Sequence, residues 1–114
     1  MSPINVYHYS PTGSLLGTVS LANCTGNCDG LEYTNGDLIE NRGDADGPYD
    51  LYSTGGTLLK SAFITGHDTN ETTGIAFDGT DYYISNIFNQ TISVYDGSGD
   101  FVRDFTLQTA AIRL

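Results

Sequence analysis

The feature that most constrains this chain is a repeat of fixed length. Three segments align without gaps: Val6 to Leu16, Tyr49 to Leu59 and Ile92 to Val102. Their anchor glycines, Gly13, Gly56 and Gly99, stand 43 residues apart. Tyr9, Tyr52 and Tyr95 share one register, Leu15, Leu58 and Phe101 a second, and Leu21, Ile64 and Leu107 a third. A further match links residues 30–41 with residues 74–86, with one residue inserted in the latter. Such a period means that one supersecondary unit is used repeatedly, each copy covering its neighbour.

Each unit reads as four short strands. In the last unit they are Ile75 to Phe77, Tyr82 to Ser85, Ile92 to Tyr95 and Phe101 to Leu107. Apolar Ile92 and Val94 alternate with Ser93 and Tyr95, the period of two that a strand imposes. Asp78-Gly79, Asp96-Gly97 and Ser98-Gly99 are turn signals between them. No stretch keeps a helical period. The expected fold is all-β, with four-stranded antiparallel β-propeller-like blades. Residues 1–114 form one repeat domain, with a half-blade at 4–21, blades at 30–64 and 74–107, and a tail at 108–114. Four blades, the least that closes a ring, would need about 170 residues at this period. The ring is therefore incomplete in one chain of 114 residues.

The wording of the last unit is more specific. It runs Gly74-Ile-Ala-Phe-Asp, Tyr82-Tyr-Ile-Ser-Asn, then Asn89-Gln-Thr-Ile-Ser-Val-Tyr-Asp-Gly-Ser-Gly-Asp-Phe-Val-Arg-Asp-Phe105. This resembles an NHL-type blade closely over 74–107 and more distantly over 30–64. It departs at Asn86 and Thr91, where that family often has Asp and Arg. The resemblance implies propeller geometry. It also raises the alternative of a lyase or hydrolase, since some NHL-like propellers work with His, Glu or metal ligands near a central channel.

Composition narrows the partners. Fourteen acids face four bases, for a net charge of −10. A nucleic-acid binder needs a basic stripe, so that class is excluded as an expectation. No apolar run reaches the length of a membrane-spanning helix. The N-terminus lacks the basic and apolar regions of a signal peptide. Scarce lysine (Lys60 alone) and sequons at Asn23, Asn70 and Asn89 nevertheless point to an extracellular or cell-surface glycoprotein. Cys24 and Cys28 are close enough for a local disulfide, with free thiols or a metal site as alternatives.

Candidate chemistry is sparse. Asp44, Asp46 and Asp50 partly resemble a calcium loop, although Arg42 stands where a further acid is wanted; calcium is the one cofactor considered. Arg42-Gly43-Asp44 is also an adhesive tripeptide. His8 shares the register of Leu51 and Val94, which points it into blade packing or a channel. His67 lies in a loop, and Glu32, Asp37 and Asp78 are the acids beside the first strands, but no acid–base pair assembles. The expectation is a non-enzymatic structural and interaction protein that binds itself, as ring or filament, by strand addition. The tail residues Thr109, Ala110, Ala111, Ile112 and Leu114 would supply the strand, and Val6 and His8 would receive it. Glycans or other proteins are further candidate partners. In a carbohydrate-binding module, tyrosines outside the repeat register, such as Tyr33 or Tyr82, would stack on sugars.

Overall fold

A computed structural model describes residues 4–24, 28–42, 48–65, 72–86 and 90–107. Among them the fold is all-β, in three antiparallel sheets. Strands β1 (Ile4–Tyr9) and β2 (Leu15–Leu21) form a two-stranded hairpin. Strands β3 (Asp29–Thr34), β4 (Asp37–Asn41), β5 (Tyr49–Ser53) and β6 (Leu58–Ile64) form a sheet in chain order. Strands β7 (Thr72–Phe77), β8 (Tyr82–Asn86), β9 (Thr91–Tyr95) and β10 (Phe101–Thr106) form another in the same order. These are propeller-like blades, and the ring is not closed. The first hairpin corresponds to the outer half, β5–β6 or β9–β10, of a full blade.

The repeat is visible atom by atom in the outer turns. Gly13, Gly56 and Gly99 all have φ near +90°, a region where a side chain is strained. Their N–H groups donate to the carbonyls of Ser10, Ser53 and Asp96 at 2.9, 3.0 and 2.9 Å. The side chains of these three residues in turn accept from the N–H groups of Ser14, Thr57 and Asp100.

These glycines are also where blades touch. A Cβ on Gly56 would stand 2.8 Å from Val19 Cγ1 and 2.9 Å from the Ser20 carbonyl on β2. A Cβ on Gly99 would collide with the Phe63 carbonyl on β6. Residues 20 and 63 are themselves one period apart, so a single contact is used twice. Around Gly13 nothing lies within 4 Å.

Two apolar clusters fill the spaces between sheets. Ile39, Tyr49, Ile64, Tyr82, Ile84 and Tyr95 are buried between the two full blades. Leu21, Cys24 and Tyr52 are buried between the hairpin and the first full blade, with Val6, Val19 and Leu38 against them. Hydrogen bonds pin the same interfaces. Tyr49 donates to the Gly74 carbonyl at 3.2 Å, Tyr82 and Thr34 share their hydroxyls at 2.6 Å, and Tyr52 accepts from the Asn23 N–H at 3.1 Å.

One of the three shared registers lies outside the core. Leu15, Leu58 and Phe101 are all exposed. They open the outermost strand of each blade, at its rim, where no neighbouring blade reaches. Phe101 keeps an edge-on contact with Tyr95, with ring centroids 5.7 Å apart.

Glycine substitution separates backbone strain from blade contact. Gly13→Ala is expected to cost about 1–2 kcal/mol, for the left-handed backbone alone. Gly99→Ala is expected to cost about 3 kcal/mol or more, because the Phe63 backbone must also move. Urea denaturation of the two variants measures the difference, and equal losses would contradict the inter-blade contact.

Candidate functional site

Two regions stand out: an uncovered end of the blade stack, and a polar node inside the first interface.

At the uncovered end, the register of the three tyrosines is broken. Tyr52 and Tyr95 are 1% and 2% exposed, while Tyr9 is 54% exposed. The tyrosine is the same, but Tyr9 has no blade over it. Among the described residues β1 pairs with β2 alone, so its other edge has no partner strand there. Between the hairpin and the first full blade lies a groove of about 540 Å³, lined by Val6 and His8 of β1, by Gly17, Thr18 and Val19 of β2, and by Leu31, Tyr33 and Leu38 of the facing blade. His8 is exposed at the groove, whereas its register mate Val94 is buried. At the opposite end, Phe105 is exposed and Leu107 half-buried, although Leu107's mates Leu21 and Ile64 are fully buried.

In the polar node, Cys24 and Cys28 are joined by a disulfide. Cys24 is buried in the interface and Cys28 is half-buried. The Glu40 carboxyl stands against this bridge, with Oε1 3.9 Å from Cys24 Sγ. A bridged sulfur carries no hydrogen, so it donates nothing to Glu40. Glu40 Oε2 has no hydrogen-bond partner, though the residue is only 7% exposed. Burial, and secondarily the charge of Asp29, push its pKa up to about 8. Glu40 pairs with Asp50 across β4–β5, as Ile84 pairs with Ser93 across β8–β9. A carboxyl thus takes the place that an isoleucine fills in the next blade.

Asp50 is also buried but fully partnered. Arg42 donates to both of its carboxylate oxygens at 2.8 Å, and the Ala62 N–H donates at 2.7 Å. Burial alone would raise its pKa, but the Arg42 and Ala62 hydrogen bonds, with the Arg42 charge, hold it below the usual range. Ala62 adopts a left-handed conformation (φ 54°) at the irregularity in the β5–β6 pairing, which turns its N–H toward Asp50.

The residues singled out in the sequence fall as follows. Asp50 is spent on Arg42, and Asp44 and Asp46 lie outside the described residues. Asn23 is half-buried, and its side chain hydrogen-bonds Asp50; Asn70 and Asn89 lie outside the described residues. So do His67 and the tail residues Thr109, Ala110, Ala111, Ile112 and Leu114. Tyr82 is buried against Phe77 and Thr34 and offers no face to a sugar, whereas Tyr33 is exposed. Glu32 bridges the inner strands, accepting from the Phe77 and Tyr33 N–H groups at 2.9 Å each. Asp78 caps its turn: hydrogen bonds from the Asp81 N–H, the Tyr83 hydroxyl and the Thr80 N–H hold its carboxyl below the usual range. Glu40 was not singled out. Its one sequence signal is an acid inside a strand that otherwise reads Leu38-Ile39.

No protein-family model matches the chain, and no curated protein matches it.

The two buried acids act in opposite directions with pH. A carboxyl whose pKa is raised by folding stabilises below its unfolded value of 4.5 and loses that contribution as pH climbs toward 8. Wild-type stability is therefore expected to fall across that window through Glu40, and Glu40→Gln to flatten the fall in urea titrations at stepped pH. Asp50, with its lowered pKa, stabilises above about pH 4 and loses its contribution as pH falls through the lowered value. Asp50→Ala, which strands Arg42, is expected to cost about 3 kcal/mol at pH 7.

Proposed function

We propose that this chain is a non-enzymatic structural and interaction protein whose blades are continued by a second copy, head to tail. The single observation that carries this is Tyr9, exposed where Tyr52 and Tyr95 are buried. The occupant follows from the repeat. Gly56 meets Ser20 and Gly99 meets Phe63, each 36 positions back along the chain. Continued by one period, the surface that fits Gly13 is the one around Thr106, at the far end of a second copy. At that far end Phe105 is exposed and Leu107 half-buried among the described residues. The two ends are thus complementary to each other and not to themselves, which gives a heterologous contact and a ring or a filament.

Strand addition completes the picture. The chain passes from an outer strand to the next inner strand twice, from β2 to β3 and from β6 to β7. Those passages reach the innermost strand, which is separated from β5 or β9 by β4 or β8. In the proposal, residues 108–114 leave β10 and add instead directly to β1 of the neighbouring copy, in the place that β4 holds beside β5, next to Val6 and His8.

The remaining assignments belong to the same proposal. The blade wording supports an NHL-type propeller unit. Low lysine, the sequons and a net charge of −10 support an extracellular, glycosylated setting. A second role in carbohydrate binding is favoured by one observation: Tyr7 and Tyr33, both exposed, line the groove.

Sedimentation velocity over a hundredfold range of concentration tests the assembly. Species larger than one chain are expected, growing with added salt as repulsion between chains of net charge −10 is screened. Tyr9→Asp and Leu107→Asp are each expected to leave a folded monomer. A monodisperse wild-type monomer at every concentration and salt would overturn the proposal.

A further inference from the structure

We infer that the Cys24–Cys28 bridge is a thiol–disulfide exchange centre, with Glu40 as the proton donor to the buried sulfur. Assembly of the blades plays no part in this inference.

Three observations carry it. The first is access: Cys28 is half-buried while Cys24 lies sealed in the interface, so an incoming thiolate meets the Cys28 sulfur and Cys24 is the leaving group. The second is Glu40. It is nine-tenths buried, its Oε2 is unpartnered, and its Oε1 faces Cys24 Sγ at 3.9 Å. Packing does not account for it, since the matching position in the next blade is the core residue Ile84. A carboxyl here is idle while the sulfurs are bridged and gains a partner once Cys24 is a thiol. The third is that Cys28 Sγ lies 3.6 Å from the Arg42 carbonyl oxygen, which a Cys28 thiol would reach as a donor. The dithiol form gives the buried Glu40 carboxyl a sulfur donor that the bridged form lacks, which favours reduction.

The reductant is a small-molecule or protein thiol. Its thiolate attacks Cys28 Sγ and forms a mixed disulfide. The Cys24–Cys28 bond breaks, and the electron pair leaves on Cys24 as thiolate. The Glu40 carboxyl gives its proton to that thiolate and is reprotonated from water. A second reductant thiolate attacks the outer sulfur of the mixed disulfide. This releases the oxidised reductant and a Cys28 thiolate, which takes a proton from solvent. Two electrons enter the protein, and two reductant thiols become one disulfide.

The charged or titratable groups around Glu40 are Asp29 from β3, Asp50 and Tyr52 from β5, and Arg42 after β4. Arg42 is ion-paired with Asp50. Raised by burial first and Asp29 second, the Glu40 pKa of about 8 keeps the donor protonated at neutral pH.

The test is reduction of the full chain by dithiothreitol, followed by thiol trapping and mass, with rates normalised to the reductant thiolate. The wild-type rate is expected to be flat below pH 7 and to fall above pH 8. Glu40→Gln and Glu40→Leu are expected to be roughly tenfold slower at pH 7 and to lack the fall. Two variants are used so that a folding defect in one leaves the other informative, with far-UV circular dichroism as the check. The reduced wild type is expected to keep its strand signal and its melting transition. Equal normalised rates in wild type and both variants would overturn the inference. So would unfolding on reduction, which would make the bridge a structural staple.

Discussion

Everything in this fold depends on covering the faces of its sheets. A four-stranded blade has two broad faces, and in a blade stack both want a neighbour. The approach is close because a glycine with positive φ leads each outer turn. Gly56 meets the backbone and side chain of β2, and Gly99 meets the backbone of β6. With the turn seated, a tyrosine follows it in: Tyr52 is buried beside Leu21, and Tyr95 in the cluster that contains Ile64. The period of 43 residues is the sequence image of this one contact. Where the contact is missing, at Gly13 and Tyr9, apolar surface stays wet, and among the described residues the outer edge of β1 has no partner strand.

Against this regular background the departures from the repeat carry the chemistry. Blade contact accounts for Ile39, Tyr49, Ile64, Tyr82 and Ile84. It does not account for Glu40 in the place of Ile84, nor for Asp50 in the place of Ser93. The two acids solve burial differently. Asp50 recruits Arg42 and bends β6 so that Ala62 can donate. Glu40 has no such donor and stays protonated at neutral pH beside the one disulfide among the described residues. Unpartnered buried carboxyls cost stability, so a position that keeps one merits a chemical explanation.

Strands and turns were legible in the sequence because alternation and positive-φ glycines are local signals. The blade count was legible because the period is fixed. Burial was legible only in part. Register showed that Leu15, Leu58 and Phe101 are equivalent, but not that all three sit at an exposed rim. Tyr82 resembled a surface tyrosine in sequence, yet it is a core residue whose hydroxyl meets Thr34 from the preceding blade. The Cys24–Cys28 pair was visible as neighbours in the chain. Glu40 was not visible as their companion, because it arrives on β4, 16 positions beyond Cys24, and the inserted residue between 30–41 and 74–86 hides its match to Ile84. Asp50 displayed a carboxylate in sequence, but nothing local revealed that Arg42 occupies it.

The central claim is that one end of this chain fits the other end of a second copy, in the register used between its own blades. Site-directed cross-linking tests it most directly. One population carries Thr12→Cys, beside Gly13, and another carries Thr106→Cys; both are mixed and treated with a short bismaleimide. The expected result is a cross-linked pair that contains one chain of each kind, with neither population cross-linking alone. Absence of the mixed pair, or equally strong cross-links within a single population, would contradict head-to-tail continuation of the blades.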